Sequence, residues 1–210
     1  MEKHHKYRGL FITFEGAEGS GKSTQIELLQ GYLKQKQKDV VIVREPGGVA
    51  ISEKIRAILL DVNHTRMSDQ CEMLLYMAAR AQLVSEVLLP ALSDDKIVLC
   101  DRYIDSTLAY QGYGNGIDLQ SITRVGAFAT QSLRPDLTIV FDLPVRTGLG
   151  RIEGRKDRIE QRNVDYHQRV REGYLTLARR EPDRIKVIQV NTSREEIHAR
   201  VRQLTDALFE

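Results

Sequence analysis

The chain of 210 residues is poor in several things, and each shortage excludes something. It has only two cysteines, Cys71 and Cys100, with no metal-ligand spacing between them, so neither a zinc site nor a disulfide framework is expected. No apolar run is long enough to cross a bilayer, and the first residues carry no secretory leader. A reduced, cytoplasmic protein without membrane contact is the expectation. The formal net charge is only +2, from 31 Lys and Arg against 29 Asp and Glu, too small to argue for nucleic-acid binding. Lys3, His4, His5, Lys6 and Arg8 make the tail 1–8 locally basic, and it is expected to be solvated. No Pro/Gly/Ser-rich stretch divides the chain and no repeat is visible, so a single domain, 1–210, is expected.

What the chain does have is GAEGSGKST, residues 16–24. Gly16, four residues, Gly21, Lys22 and Ser23 fit the phosphate-loop pattern, and the preceding run LFITFE reads as a buried strand feeding a helix. The backbone N–H groups of Gly16, Ala17, Glu18, Gly19, Ser20, Gly21, Lys22, Ser23 and Thr24 can form a nest for phosphates, with Lys22 neutralising the outer oxygens and Ser23 on Mg²⁺. The bland alternative, an unoccupied glycine-rich turn, leaves the lysine and hydroxyls unexplained. A dinucleotide fingerprint has no use for Gly-Lys-Ser.

Alternating elements follow. Strands are expected at 10–15, 40–43, 97–100, 137–143 and 185–190, short and apolar as in a sheet covered on both faces. Helices are expected at 22–36, 51–60, 69–89, 104–111, 118–131, 163–181 and 194–208, with a charged helical stretch over 146–162. Ser193 and Glu196 make a capping box before the last of these. The class is α/β: a five-stranded parallel sheet flanked by helices on both faces. Ligands of such sheets gather beyond the carboxyl ends of the strands, where the chain places Arg44-Glu45-Pro46-Gly47-Gly48 and Asp101-Arg102-Tyr103. Asp101 is placed to hold Mg²⁺ and Arg102 to grip a phosphate, the alternative being a structural ion pair.

Taken together, FEGAEGSGKST, REPGG, MLLYMAARAQL, DRYIDSTLAYQ, RPDLTIVFDLP and GLGRIEGRKDRIE resemble the bacterial type of thymidylate kinase, a family of P-loop nucleoside-monophosphate kinases, over nearly the whole chain. The resemblance implies a P-loop kinase fold with a lid, and transfer of the γ-phosphoryl group of ATP to thymidine monophosphate with Mg²⁺, in a homodimer. It implies that Arg56 and Arg102 hold the acceptor phosphate, with Pro46 and Ser106 beside them. It further implies that Tyr76 stacks on thymine, that Arg80, Thr107 and Gln111 meet its edge, and that Tyr110 crowds the 2′ position. Glu18, an acid that must point away from the phosphate loop, would reach the 3′-hydroxyl of the acceptor sugar. Arg151 and Arg155 belong to a lid over about 148–162, where Lys156, Arg158 and Arg162 add to the cations. Without the resemblance, Met73, Tyr76, Met77 and Arg80 read as a core stripe, Arg56 as a surface charge and the lid as a solvated face. Two departures stand out: the family usually has Phe where this chain has Tyr76, and often Thr-Pro where it has Val49-Ala50.

Rival functions leave marks that are missing. A GTPase switch needs an N-K-x-D guanine reader, which is absent. A non-catalytic nucleotide sensor usually loses the loop lysine or the strand-end acid, and Lys22 and Asp101 are both present. A kinase for another nucleoside monophosphate shares the fold and differs in the acceptor it phosphorylates.

Overall fold

The computed structural model describes residues 5–152, 154 and 156–209. In chain order the elements are β1 (Leu10–Gly16), α1 (Lys22–Gln35), β2 (Val40–Arg44), α2 (Ala50–Leu60), α3 (Asp69–Leu83), α4 (Leu89–Ser93), β3 (Ile97–Asp101), α5 (Ile104–Thr107), α6 (Leu119–Thr130), β4 (Leu137–Asp142), α7 (Val145–Gly150), α8 (Val164–Arg180), β5 (Ile185–Gln189) and α9 (Arg194–Asp206). Two π-helical segments, Val84–Leu88 and Leu108–Gly114, continue α3 into α4 and extend α5. The five expected strands are all present, within a residue or two at their ends.

All strand pairings are parallel, in the order β2-β3-β1-β4-β5. From β1 the chain goes to one side for β2 and β3, and β4 and β5 add on the other. A crevice therefore opens beyond the carboxyl end of β1, the switch point at which such sheets bind ligands.

The period of two along β1 decides what each face holds. Leu10, Ile12 and Phe14 pack with Ile26, Leu29 and Leu33 of α1 and Ile197 and Val201 of α9. Phe11 faces the other way, into Leu83, Val84, Leu88, Leu92 and Tyr103. Truncating a side chain such as the fully buried Phe14 to alanine costs about 3–5 kcal/mol. The same alternation sends Thr13 and Glu15 to the Phe11 face. Thr13 meets Thr138 at 2.8 Å, and Glu15 must find donors there.

Helix starts explain much of the local order. Ser68, Asp118 and Asn163 each accept a hydrogen bond from a backbone N–H in the first turn of α3, α6 and α8, and Ser193 with Glu196 forms the expected capping box on α9. α1 is different. Gly21 at its N-cap has a left-handed backbone, no side chain caps the helix, and no acid lies in its first turn, so its N–H groups and positive dipole end stay open.

Two expectations are corrected. The charged stretch 146–162 is not one helix: α7 ends at Gly150, and the described residues beyond it run in turns. Gly148, Gly150 and Gly154 disfavour continuation, and Gly154 takes a positive φ of 82°. The described part of the N-terminal tail is not simply solvated, because His5 Nε2 lies 3.0 Å from Asp136 Oδ2 with its side chain 3% exposed. Residues 1–4 lie outside the described residues.

Candidate active site

The strand ends, the loop after β1 and the C-terminal part of α3 enclose a pocket of about 460 Å³. Glu18, Gly19, Gly21, Lys22, Ser23 and Thr24 form one wall. Pro46, Arg56, Tyr76, Arg80, Arg102, Ser106, Thr107, Tyr110 and Gln111 form the other, with Asp101 between them. Most of the sequence-derived candidates thus meet in one cavity, whereas Gly16, Ala17, Ser20 and Arg151 do not line it.

In the loop after β1, φ is positive at Gly16, Gly19 and Gly21. Glycine is required at Gly16 in particular, since a Cβ there would come within 2.4 Å of the Phe141 carbonyl oxygen on β4. Lys22 is 6% exposed and its Nζ donates to the carbonyls of Gly16 (3.2 Å) and Ala17 (3.1 Å). Burial, and then the charge of Arg102, lower its pKa. The buried hydroxyl of Ser20 has no hydrogen-bond partner. A buried cation beside an uncapped helix start offers a place for an anion.

Asp101 ends β3. Ser23 Oγ donates to its Oδ2 at 3.3 Å, while its Oδ1 is buried without a partner. A hydroxyl and a half-satisfied carboxylate beside a phosphate nest fit a hard divalent cation that takes its remaining oxygens from phosphates and water.

Arg102 follows with φ of 72°, a left-handed backbone that a non-glycine residue adopts only when its surroundings hold it there. Its N–H donates to the Phe14 carbonyl at 3.0 Å. Its guanidinium donates to Glu18, to Ser106 Oγ (3.3 Å) and to Tyr174 Oη (3.2 Å), and lies 5.0 Å from the centre of the Tyr110 ring. Glu18 does point away from the phosphate nest, into this ion pair. Arg102 first, then Lys22 and Arg56, hold its pKa down at about 2. Behind Arg102, Glu15 accepts from Tyr103 N (2.7 Å), Ser106 Oγ (2.5 Å) and Tyr174 Oη (2.9 Å). Burial, and then the charge of Asp105, push the Glu15 pKa up to about 7.

On the opposite wall Arg80 is 1% exposed. Its Nε donates to Glu45 Oε2 (2.7 Å), Nη1 to Thr107 Oγ1 (2.9 Å) and Nη2 to the Tyr103 carbonyl (3.0 Å). Thr107 therefore braces Arg80 as well as lining the pocket. Burial outweighs the attraction of Arg80 and raises the Glu45 pKa to about 7. Arg56 Nη1 donates to the Pro46 carbonyl at 2.9 Å, and Tyr76 is half-buried between Arg56 and Arg80 along the wall. Tyr110 and Gln111 sit in the π-helical segment, a widening of the helix common at functional sites.

The lid candidates separate. Arg151 Nη1 donates to the Gly19 carbonyl at 3.1 Å, over the phosphate loop. Arg155 lies outside the described residues. Arg158 and Arg162 do not join the lid cations over the loop, because both donate to Glu72 on α3. Sequence reasoning missed Glu15, Glu72 and Tyr174, and named Glu45 only within the run after β2. A signal existed for Glu72: it lies four and eight residues before Tyr76 and Arg80, on the same face of α3.

Comparison with known proteins shows the family. The family model for thymidylate kinase covers residues 14–201. The chain belongs to the thymidylate kinase family. Thymidylate kinase of Geotalea daltonii is 50% identical over 202 residues, 92% of this chain and 94% of the relative, and that of Symbiobacterium thermophilum is 48% identical over 201 residues, 95% and 94%. The solved structure of thymidylate kinase from Ehrlichia chaffeensis superposes with a TM-score of 0.79 at 33% identity, covering 94% of this chain and 98% of that one. Thymidylate kinases are ATP-using kinases of a nucleoside monophosphate, so the chain is a P-loop nucleoside-monophosphate kinase that phosphorylates thymidine monophosphate.

Proposed function

We propose that this one pocket carries the reaction with its two substrates on opposite walls, ATP on the loop after β1 and thymidine monophosphate between α2, α3 and the β3 end. The observation that supports it most directly is the set of cations lining the pocket, Lys22 on the donor side and Arg102 and Arg56 on the acceptor side, with Arg151 bonded to the Gly19 carbonyl of the loop. Two anionic substrates must approach each other, and little covalent chemistry is left for the protein to do. Positioning and neutralisation of charge are what it supplies.

In this reading the N–H groups of Gly16 to Thr24 cradle the donor phosphates and Lys22 leaves the Gly16 and Ala17 carbonyls for the phosphate oxygens. Arg102 and Arg56 bring the acceptor phosphate into line, with Pro46 and Ser106 beside it. Glu18, paired with Arg102, keeps that guanidinium oriented and offers its second oxygen to the sugar 3′-hydroxyl. Tyr76 stacks on the base, Arg80 donates to a ring carbonyl, Gln111 and Thr107 meet the same edge, and Tyr110 fills the 2′ side. Ser23 and Asp101 would hold Mg²⁺, which would supply positive charge to neutralise the phosphates there. Arg151 and Arg155 close over the donor with the lid.

Four exposed apolar side chains, Ile51 and Ile58 of α2, Leu74 of α3 and Phe128 of α6, support a homodimer formed through these helices. No helix among the described residues is long and apolar enough to cross a membrane, and we place the single-domain enzyme in the cytoplasm, without nucleic-acid partners. The deciding experiment is an acceptor panel: ATP and Mg²⁺ with each nucleoside monophosphate, reading diphosphate formation. Preferred turnover of the thymidine compound is expected, and equal turnover of the cytidine or adenosine compounds would overturn the assignment of the walls.

A further inference from the structure

Glu72 is fully buried on the pocket side of α3, one turn before Tyr76. Its two oxygens serve different partners. Oε1 accepts from Gln111 Nε2 at 2.9 Å and from Asn115 Nδ2 at 3.1 Å. Oε2 accepts from Arg158 Nη1 at 2.7 Å and from Arg162 Nη2 at 2.9 Å. A buried carboxylate is costly unless its lone pairs are filled, and here four donors fill them.

We propose that Glu72 is the positioning residue that sets the base preference of the acceptor pocket, by fixing which end of the Gln111 amide faces the nucleotide. The inference rests on the acceptor wall assigned above and goes a step beyond it. A carboxylate clasped by two guanidiniums can only accept, so the Gln111 –NH₂ must turn toward it and the Gln111 carbonyl oxygen is left facing the pocket that Gln111 lines. Arg80, on the same wall, can only donate. The wall thus offers one fixed donor and one fixed acceptor, since Arg80 is bonded to Thr107, four residues before Gln111. A pyrimidine with a ring carbonyl next to a ring N–H complements that pair. Cytosine presents the reverse, an amino group next to a bare ring nitrogen, and meets two mismatches. Glu72 touches no nucleotide. Arg158 and Arg162 hold its other oxygen, so two residues at the end of the lid segment help to set the reading of the base edge.

A purely structural Glu72, tying α3 to residues 158–162, would predict something different, and kinetics with two acceptors separates the cases. In Glu72→Gln the new amide turns its oxygen to the guanidiniums and its –NH₂ to Gln111 and Asn115; Asn115, whose Oδ1 is held by Arg162 Nη1 at 2.7 Å, loses its hydrogen bond, while Gln111 rotates and presents its own –NH₂ to the pocket. The ratio of kcat/KM for thymidine monophosphate over deoxycytidine monophosphate is then expected to fall at least tenfold, carried by KM, with the KM for the cytidine compound falling while that for the thymidine compound rises. Adding Gln111→Glu to Glu72→Gln restores an acceptor toward the pocket and is expected to recover most of the ratio. Because Glu72→Gln leaves two arginines short of an anion, Glu72→Gln with Arg162→Gln serves as a charge-matched second variant, for which the same shift is expected. An equal loss with both acceptors, leaving the ratio unchanged in variants that melt cooperatively, overturns the inference while the acceptor wall stands. A wild-type enzyme with no preference for the thymidine compound overturns both.

Discussion

Arg80 Nε and Glu45 Oε2 lie 2.7 Å apart beside the pocket wall proposed to take the base, with both side chains at most 4% exposed. Arg80 is therefore held as much by the fold as it is offered to the substrate. Truncating it leaves Glu45 buried without its counter-charge, which costs about 3–5 kcal/mol for such pairs. Arg80→Met is expected to lower stability by that order and to cut thymidine monophosphate kcat/KM sharply. The double variant Arg80→Met/Glu45→Met is expected to be more stable than Arg80→Met alone. Urea unfolding of the two single variants and the double closes the cycle, and additive losses would show that the pair is not coupled.

Lys22 is a separate case, since among the described residues its Nζ donates to two carbonyls of its own loop. Lys22→Met is expected to fold with little change in melting temperature and to lose phosphoryl transfer by two orders of magnitude or more. That loss corresponds to about 3 kcal/mol or more of transition-state stabilisation. Single-turnover rates with saturating ATP and acceptor test it, and near-normal turnover would remove the loop lysine from the mechanism.

Arg151, above Gly19 on the donor side, is expected to act when the lid is closed. Arg151→Ala should lower kcat while leaving the KM for the monophosphate close to its wild-type value. Initial-rate measurements with each substrate varied are sufficient, and a rise in monophosphate KM at constant kcat would move Arg151 to uniform binding of the acceptor.

Glu15 gives the stability a pH dependence of definite sign. Its carboxyl is raised to about 7 in the fold, by burial and then by Asp105, from an ordinary value of 4.5. Between these values the unfolded chain has released the proton that the folded chain retains. The contribution of Glu15 is therefore greatest below pH 4.5, falls as pH rises, and levels off above about 7. Glu15→Gln is expected to lack this decline, with wild type losing up to on the order of 3 kcal/mol relative to the variant across the window. Parallel denaturant melts at pH 4.5 and pH 8 measure it, and a constant difference between the two proteins would show that Glu15 does not titrate there.

The phosphate loop, the five strands and the capping box at Ser193 were legible because each is local: spacing, period and neighbouring residues carry the signal. The residues that brace the site were not. Glu15 meets Tyr174 across 159 positions of sequence, and Glu72 meets Arg158 across 86, so only the folded sheet brings them together. The arginines after Gly154 illustrate the limit in the other direction. A run of cations beside a phosphate site reads as a lid, yet Arg158 is occupied by a buried acid and by the Leu59 carbonyl at 2.8 Å. Composition shows the charge and not its partner. Tyr76 and Arg80 had the spacing of a helix face, and placing that face in a pocket required the resemblance to a family.

The central place of β1 in the sheet also bears on the order in which the chain leaves the ribosome. By the time residue 131 has emerged, the phosphate loop, α3, Asp101, Arg102 and Gln111 have all been made. The nascent β1 has β3 on one side but lacks β4 on the other, and Gly16 has not yet met Phe141. Arg102 still lacks the Tyr174 hydroxyl, and Glu72 lacks both of its arginines. A nascent chain of this length holds most of the groups proposed to touch nucleotide and lacks several that brace them. Firm nucleotide binding is therefore expected only once α8, which carries Tyr174, has been made.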